Sequence, residues 1–167
     1  MSSLLSKLDI DIQFSEKIEV QLDHKMIQQV ASICFEAVEQ PASVCIRIVD
    51  EMEMQHLNHT FRGKNAVTNV LAFESDWPEM IKCCHLGDIV ACAAVIEREA
   101  RQQDKSLEAH WVHMIVHGSL HLLGMDHQTE VEAEEMELRE ILILQQLGYP
   151  DPYQTDAPSA KHQMKRK

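Results

Sequence analysis

The chain has 167 residues and a net charge of −12, and its composition, 45% hydrophobic and 25% charged, is that of an ordinary globular protein. No apolar run approaches the roughly 20 residues that a transmembrane helix needs, so we expect no membrane association. The acidic charge also argues against general nucleic-acid binding, which depends on many contacts between basic side chains and phosphates.

The first half of the chain predicts two strand and helix pairs. Alternating apolar residues predict a strand over 8–14, and apolar residues at helical spacing predict a helix over 23–39. β-Branched residues then predict a strand over 43–49. A helix over 50–59 follows, with Asp50 as its N-cap, and delivers the segment FRGK into a loop.

The second half predicts a hairpin-like pair of strands followed by helices. Short apolar segments predict strands over 68–74 and 86–93, and the residues between them have no period and predict a loop. Helices follow over 93–103, 106–123 and 130–147. We therefore predict an α+β fold, in which a small mixed sheet of about four strands packs against five to six helices.

The charge divides the chain into two parts. Residues 1–152 contain 11 Lys and Arg against 26 Asp and Glu, whereas residues 153–167 contain four basic residues and one acidic residue. The second part is polar and has no apolar period. We predict one domain over 1–152 and a disordered, basic-ended tail over 153–167.

The five cysteines indicate neither a disulfide framework nor a thiolate metal site. Their number is odd, and none of them forms a C-x-x-C pair. The N-terminus also lacks the pattern of a secretory signal, so we expect a cytoplasmic protein with reduced thiols. A redox-reactive pair at Cys83 and Cys84 is the alternative.

Five of the ten histidines lie between residues 110 and 127. His117 and His121 are four residues apart on a predicted helix, which corresponds to a rotation of roughly 400° and a rise of about 6 Å, so both imidazoles share one face. Gly124 can adopt the left-handed conformation that reverses the chain, and His127 can then return to the same point. Packed histidines without a ligand are the alternative, but the glycine and the third histidine favour a metal.

We therefore predict one Zn²⁺ held by His117, His121 and His127, with water as the fourth ligand. Three protein ligands with an open position indicate catalysis rather than a structural role. Two neighbours remain ambiguous: His113 either supports a ligand or is simply packed, and Asp126 either orients an imidazole or caps the turn.

The spacing H-x-x-x-H-x-x-G-x-x-H is that of the metzincin proteases, but the general base of those enzymes is missing. They have glutamate directly after the first histidine, where this chain has Gly118. Peptide hydrolysis is therefore disfavoured. The missing base favours a substrate that either tolerates attack by zinc-bound hydroxide alone or supplies its own nucleophile, as RNA does through its 2′-hydroxyl.

The sequence resembles the YbeY family of bacterial endoribonucleases. The resemblance lies in HGSLHLLGMDH (117–127), LNHTFRGKNAVTNVLAF (57–73) and LGDI (86–89), with support from EAHWVHMIV directly before the first block and from GYPDPY (148–153). Ala72 stands where the family usually has serine, and Met125 where tyrosine is common. Neither departure affects an expected ligand.

The resemblance implies a zinc-dependent endoribonuclease that prefers single strands, matures the 3′ end of 16S rRNA and takes part in ribosome quality control. The implied partners are ribosomal RNA, the small ribosomal subunit and its assembly proteins, and no DNA is expected. Arg62 matches the functionally important arginine of the family, and its guanidinium can grip two phosphate oxygens in the transition state. A surface salt bridge is the alternative role for Arg62, and Lys64 can add charge to the same patch.

Two other functions fit parts of the sequence. A ribosome-assembly factor with a structural zinc and no cleavage activity would fit the acidic domain, and a zinc protease would fit the histidine spacing alone. The acidic residues over 130–140 are expected to form a solvated helix face. The basic tail is either a solvated end or an aid to RNA docking.

Overall fold

The computed structural model describes residues 8–20, 22–75 and 85–154. Along this part of the chain the elements are β1 (Leu8–Phe14), α1 (His24–Cys34), β2 (Ala42–Val49), α2 (Glu51–Arg62), β3 (Val70–Glu74), β4 (His85–Cys92), α3 (Ala93–Gln102), α4 (Leu107–Leu122) and α5 (Glu130–Gln146). The predicted α+β fold with a mixed sheet is confirmed.

The sheet has the strand order β1-β2-β4-β3. β2 runs parallel to both β1 and β4. α1 connects β1 to β2, and both α2 and β3 lie between β2 and β4 in the chain. β3 runs antiparallel to β4, with Val70 opposite Ala91. β3 is therefore an edge strand.

α4 is the central helix of the fold. It packs against α1, α3, α5 and the two strands β3 and β4, and its residues are mostly buried. Two glycines allow its close approach to the sheet: a Cβ on Gly87 would lie 2.7 Å from Leu122 Cδ2, and one on Gly118 would lie 2.9 Å from Ile89 Cγ2. The end of α4 is thus fixed against β3 and β4.

Two helix ends differ from the prediction. α1 stops at Cys34 rather than at residue 39, because residues after it form tight turns whose hydrogen bonds include Val38 N–H to the Phe35 carbonyl at 3.0 Å. α2 continues to Arg62 rather than ending near residue 59. It ends where Gly63 adopts a left-handed conformation with a φ of +69°.

A capping box begins the last helix. The Thr129 hydroxyl accepts the Glu132 N–H at 3.1 Å, and the Glu132 carboxylate accepts the Thr129 N–H at 3.3 Å. The side chain of Tyr153, the first residue of the predicted tail, makes contacts within the domain. Residues 155–167 and the pair Cys83 and Cys84 lie outside the described residues.

Within the described residues, no helix combines the length and the apolar character that crossing a membrane requires.

Candidate metal centre and cleft

The C-terminal end of α4 carries two of the candidate ligands and turns back directly after the second. Gly124 has a φ of +93°, and its N–H donates to the His121 carbonyl at 3.0 Å. The next N–H, that of Met125, donates to the Leu120 carbonyl at 3.0 Å. These two bonds form the left-handed cap that the sequence predicted. The cap directs the following residues back towards the last turn of the helix.

Three imidazoles converge at this turn. Ligand atoms of His117, His121 and His127 all lie within 4.8 Å of one another. The Nε2 atoms of His117 and His121 are 3.1 Å apart, close to the separation of about 3.3 Å between two nitrogens bound tetrahedrally to one zinc at 2.0–2.1 Å. The donor set and its spacing therefore fit a zinc ion.

The environment favours the neutral form of one of these imidazoles. Burial, together with the nearby His117 and His127, lowers the pKa of His121. A metal ligand must offer an unprotonated nitrogen, so a depressed pKa favours the form that binds a metal.

A buried carboxylate on α5 holds the first imidazole of the cluster. The side chain of Glu140 is excluded from solvent, and its Oε2 lies 2.8 Å from His117 Nδ1. Its Oε1 lies 2.9 Å from His113 Nε2 and accepts a hydrogen bond from the Tyr153 hydroxyl. Burial alone would raise the pKa of Glu140, but the hydrogen bonds from His113 and His117 outweigh it and lower this pKa to about 2.

The charge of Glu140 determines which nitrogen of His117 carries the proton. An ionised carboxylate only accepts hydrogen bonds, so His117 Nδ1 must be the protonated nitrogen. The lone pair of His117 Nε2 is then left to face His121. Carboxylates that accept a hydrogen bond from the N–H of a ligating histidine in this way fix its tautomer and its orientation.

The other residues that the sequence left ambiguous now have defined contacts. His113 bonds to Glu140, so it supports His117 through a shared carboxylate. Asp126 caps the turn, since its carboxylate accepts the His127 N–H at 2.8 Å. His110 Nε2 lies 2.9 Å from Glu99, and burial lowers the pKa of His110.

Arg62 lies in the same cleft as the three histidines. The cleft has a volume of about 1650 Å³ and runs between the end of α2, the edge strand β3 and the end of α4. Arg62 Nη2 donates to the Ala72 carbonyl at 2.7 Å, and its guanidinium lies 5.2 Å from the centre of the Phe73 ring. Among the described residues it forms no ion pair with a carboxylate, so the salt-bridge alternative has no support in this part of the chain.

Asn69 fixes the end of the loop between Arg62 and β3. The Asn69 side chain accepts the Val70 N–H at 2.7 Å and donates to both carboxylate oxygens of Glu99 at 3.2 Å. The backbone carbonyl of Asn69 also accepts the Cys92 N–H at 2.8 Å. β3 consequently starts at Val70, two residues later than the sequence predicted.

Gly118, at the position of the protease general base, faces the sheet. A Cβ there would meet the Ile89 side chain at 2.9 Å and the Val70 side chain at 3.4 Å. A carboxylate at this position would therefore point into the packing between α4 and the sheet. The fold has no room for the protease arrangement at this place.

Glu140 is the functional residue that sequence analysis missed. The acidic residues over 130–140 were expected to be solvated, and this expectation is wrong for Glu140. The available signal was its position on α5: with Met136, Ile143 and Leu144 it forms the buried stripe of that helix at helical spacing. A carboxylate on an apolar stripe needs buried partners, which here are histidines of α4.

Comparison with known proteins agrees with this geometry. The model of the family described as endoribonuclease YbeY matches residues 9–148. Proteins named endoribonuclease YbeY from Pseudomonas syringae pathovar tomato and from Pseudomonas savastanoi pathovar phaseolicola are each 54% identical over 122 residues, covering 72% of this chain and 73% of the relative.

A solved structure shares the fold. The solution structure of TM1509 from Thermotoga maritima superposes with a TM-score of 0.54 and 22% sequence identity, over 90% of this chain and 99% of that protein. At this level of identity the likeness concerns the fold alone.

Proposed function

Because the chain belongs to the YbeY endoribonuclease family, and is therefore a metal-dependent hydrolase, we propose that it uses zinc to cleave single-stranded RNA in the maturation of 16S rRNA at its 3′ end and in ribosome quality control. The observation that carries the proposal is the convergence of three imidazoles and one guanidinium in a single cleft. On this proposal its partners are ribosomal RNA, the small ribosomal subunit and assembly proteins, and it acts in the cytoplasm.

We assign His117, His121 and His127 as the metal ligands. Their mutual distances and their nitrogen donors support zinc over magnesium or calcium, which prefer oxygen ligands. A bound zinc ion would supply Lewis acidity to the phosphodiester and to the attacking hydroxyl. Glu140 holds His117 in the tautomer that this assignment needs.

We assign to Arg62 the binding of the scissile phosphate. Its hydrogen bond to the Ala72 carbonyl uses one of the five N–H donors of the guanidinium and orients its plane beside the edge strand. The remaining donors can grip phosphate oxygens in pairs and stabilise the negative charge that grows in the transition state. Lys64, which also lines the cleft, adds a second cation.

Purified protein tests the cleavage step directly. We expect the zinc-loaded protein to cleave a single-stranded RNA, to lose that activity with a chelator, and to cleave the corresponding duplex more slowly. Arg62→Glu should reduce cleavage about 100-fold or more while leaving the zinc content unchanged. Arg101→Glu is the matched control, because Arg101 is exposed on α3 and lies outside the cleft.

Mapping of rRNA ends in cells tests the biological role. Cells that carry Arg62→Glu should accumulate 16S rRNA with unprocessed 3′ ends, and those with Arg101→Glu should not. Normal ends in the Arg62→Glu cells would refute the role of Arg62. Zinc content equal to that of wild type in His117→Ala would refute the ligand assignment.

A further inference from the structure

One large apolar side chain is exposed inside the cleft. Phe61 is 62% exposed and lines the cleft together with Arg62 and the three histidines. Single exposed apolar residues are common on protein surfaces and need no explanation. However, the other large apolar side chains that are exposed in the described residues, such as Met52, lie outside this cleft.

The ring of Phe61 is held in place by its neighbours. It meets Phe73 of β3 edge to face, with ring centres 5.4 Å apart and an angle of 61° between the rings. Phe73 in turn packs against the small core cluster beneath α2 and lies under the guanidinium of Arg62. The Phe61 ring is therefore braced on one side while most of its surface stays accessible from the cleft.

Few cationic side chains in the cleft are available to contact phosphates. Arg47 is paired with Glu53 at 2.6 Å, so Arg62 and Lys64 are the cations of the cleft that the described carboxylates leave available. The whole chain carries a charge of −12, which opposes the approach of a polyanion. An RNA-binding cleft of this kind needs an interaction that does not depend on charge. Stacking of a nucleobase on an aromatic ring is such an interaction.

We infer that Phe61 stacks on an unpaired nucleobase next to the phosphodiester that Arg62 contacts. The inference rests on the proposed function and adds the chemical group that the cleft recognises. A base can reach an aromatic side chain in this way only when it is free of its pairing partner. The Phe61 subsite would thus give the cleft its preference for single strands.

Binding to a 2′-O-methyl RNA tests the inference, since this backbone lacks the 2′-hydroxyl that RNA can supply as the nucleophile. We expect Phe61→Ala in the zinc-loaded full chain to weaken binding about 5- to 100-fold by fluorescence anisotropy. Phe61→Trp should retain binding, because the larger ring also stacks. Met52→Ala is the control, since Met52 is exposed on the same helix but outside the cleft.

A scan with single abasic sites locates the stacked base. One abasic position should weaken binding to the wild type, and the same position should have no further effect on Phe61→Ala. The loss in Phe61→Ala should also be the same at low and at physiological salt, whereas Lys64→Ala should reduce the salt dependence. Wild-type binding by Phe61→Ala, or an abasic penalty that persists in it, would overturn the inference.

The inference and the proposed function can fail separately. Cleavage of unmodified single-stranded RNA by the wild type tests the function without involving Phe61. If the wild type cleaves and Phe61→Ala binds and cleaves equally well, only the stacking role is refuted. If the wild type does not cleave, the proposed function is refuted, whatever the binding of Phe61→Ala.

Discussion

Replacing Glu140 by glutamine tests whether the buried carboxylate organises the histidine cluster. The change preserves the size of the side chain but removes the charge that His113, His117 and Tyr153 share. The pKa of Glu140 falls from 4.5 to about 2 despite burial, because of its histidine partners. Since this pKa is lower in the folded chain than in the unfolded chain, the ionised form stabilises the fold at neutral pH. At about 1.36 kcal/mol for each tenfold change in proton affinity, the stabilisation is about 3 kcal/mol.

We expect Glu140→Gln to lower the free energy of unfolding of the metal-free protein by about 3 kcal/mol, which corresponds to a fall in Tm of about 6–12 °C. Zinc affinity, measured by competition with a chromogenic chelator, should fall about 10- to 100-fold, because His117 loses the acceptor that fixes its tautomer.

The control is Glu137→Gln, which makes the same chemical change at an exposed position one turn earlier on α5. Its unfolding free energy and zinc affinity should match the wild type. If Glu140→Gln also matches the wild type in both measurements, the buried carboxylate does not organise the site. If it loses stability but keeps its zinc affinity, the argument from the tautomer of His117 is wrong.

Three further predictions follow from the packing and from the metal site. Gly118→Glu, which restores the protease base in sequence, should lower the free energy of unfolding in urea by about 3 kcal/mol or more, because its Cβ would already lie 2.9 Å from an Ile89 methyl group. A stable variant with peptidase activity would contradict this account. Chelation of zinc held at 100 times its Kd should remove about 2.7 kcal/mol of stability and lower Tm by about 5–11 °C, and the same treatment should leave Tm of His127→Ala unchanged. Burial raises the pKa of Cys34 to about 12 and that of the partly exposed Cys45 to about 11. Iodoacetamide at pH 8 should therefore label Cys45 before Cys34, and should label Cys34 only after unfolding, as measured by mass spectrometry. Rapid labelling of Cys34 in the native protein would show that it is not buried.

The parts of the site that could be predicted from the sequence depend on local geometry. The spacing of His117 and His121 places them on one face of a helix, and Gly124 offers the one backbone conformation that brings His127 back. These relations hold within 11 residues of chain. They needed no knowledge of the remaining fold.

The parts that could not be predicted depend on which elements meet in space. Glu140 lies 23 positions after His117 and reaches it only because α5 packs against α4. The bond from Arg62 to Ala72 likewise requires the end of α2 to lie beside β3. The apolar spacing also placed the end of α1 too late, since the residues beyond Cys34 form hydrogen-bonded turns instead of continuing the helix.

Because Glu140 and Tyr153 hold His117 through hydrogen bonds, the histidine motif alone does not contain every residue that orients its imidazoles. All three imidazoles and Arg62 have been synthesised once residue 127 is in place, yet the carboxylate and the hydroxyl that hold His117 come later in the chain. A fragment that stops after the motif would carry every proposed ligand without the support that fixes the first one. The same holds for a loop grafted onto another scaffold. On the proposed assignment, full affinity for the metal would therefore require the finished domain, including α5 and Tyr153.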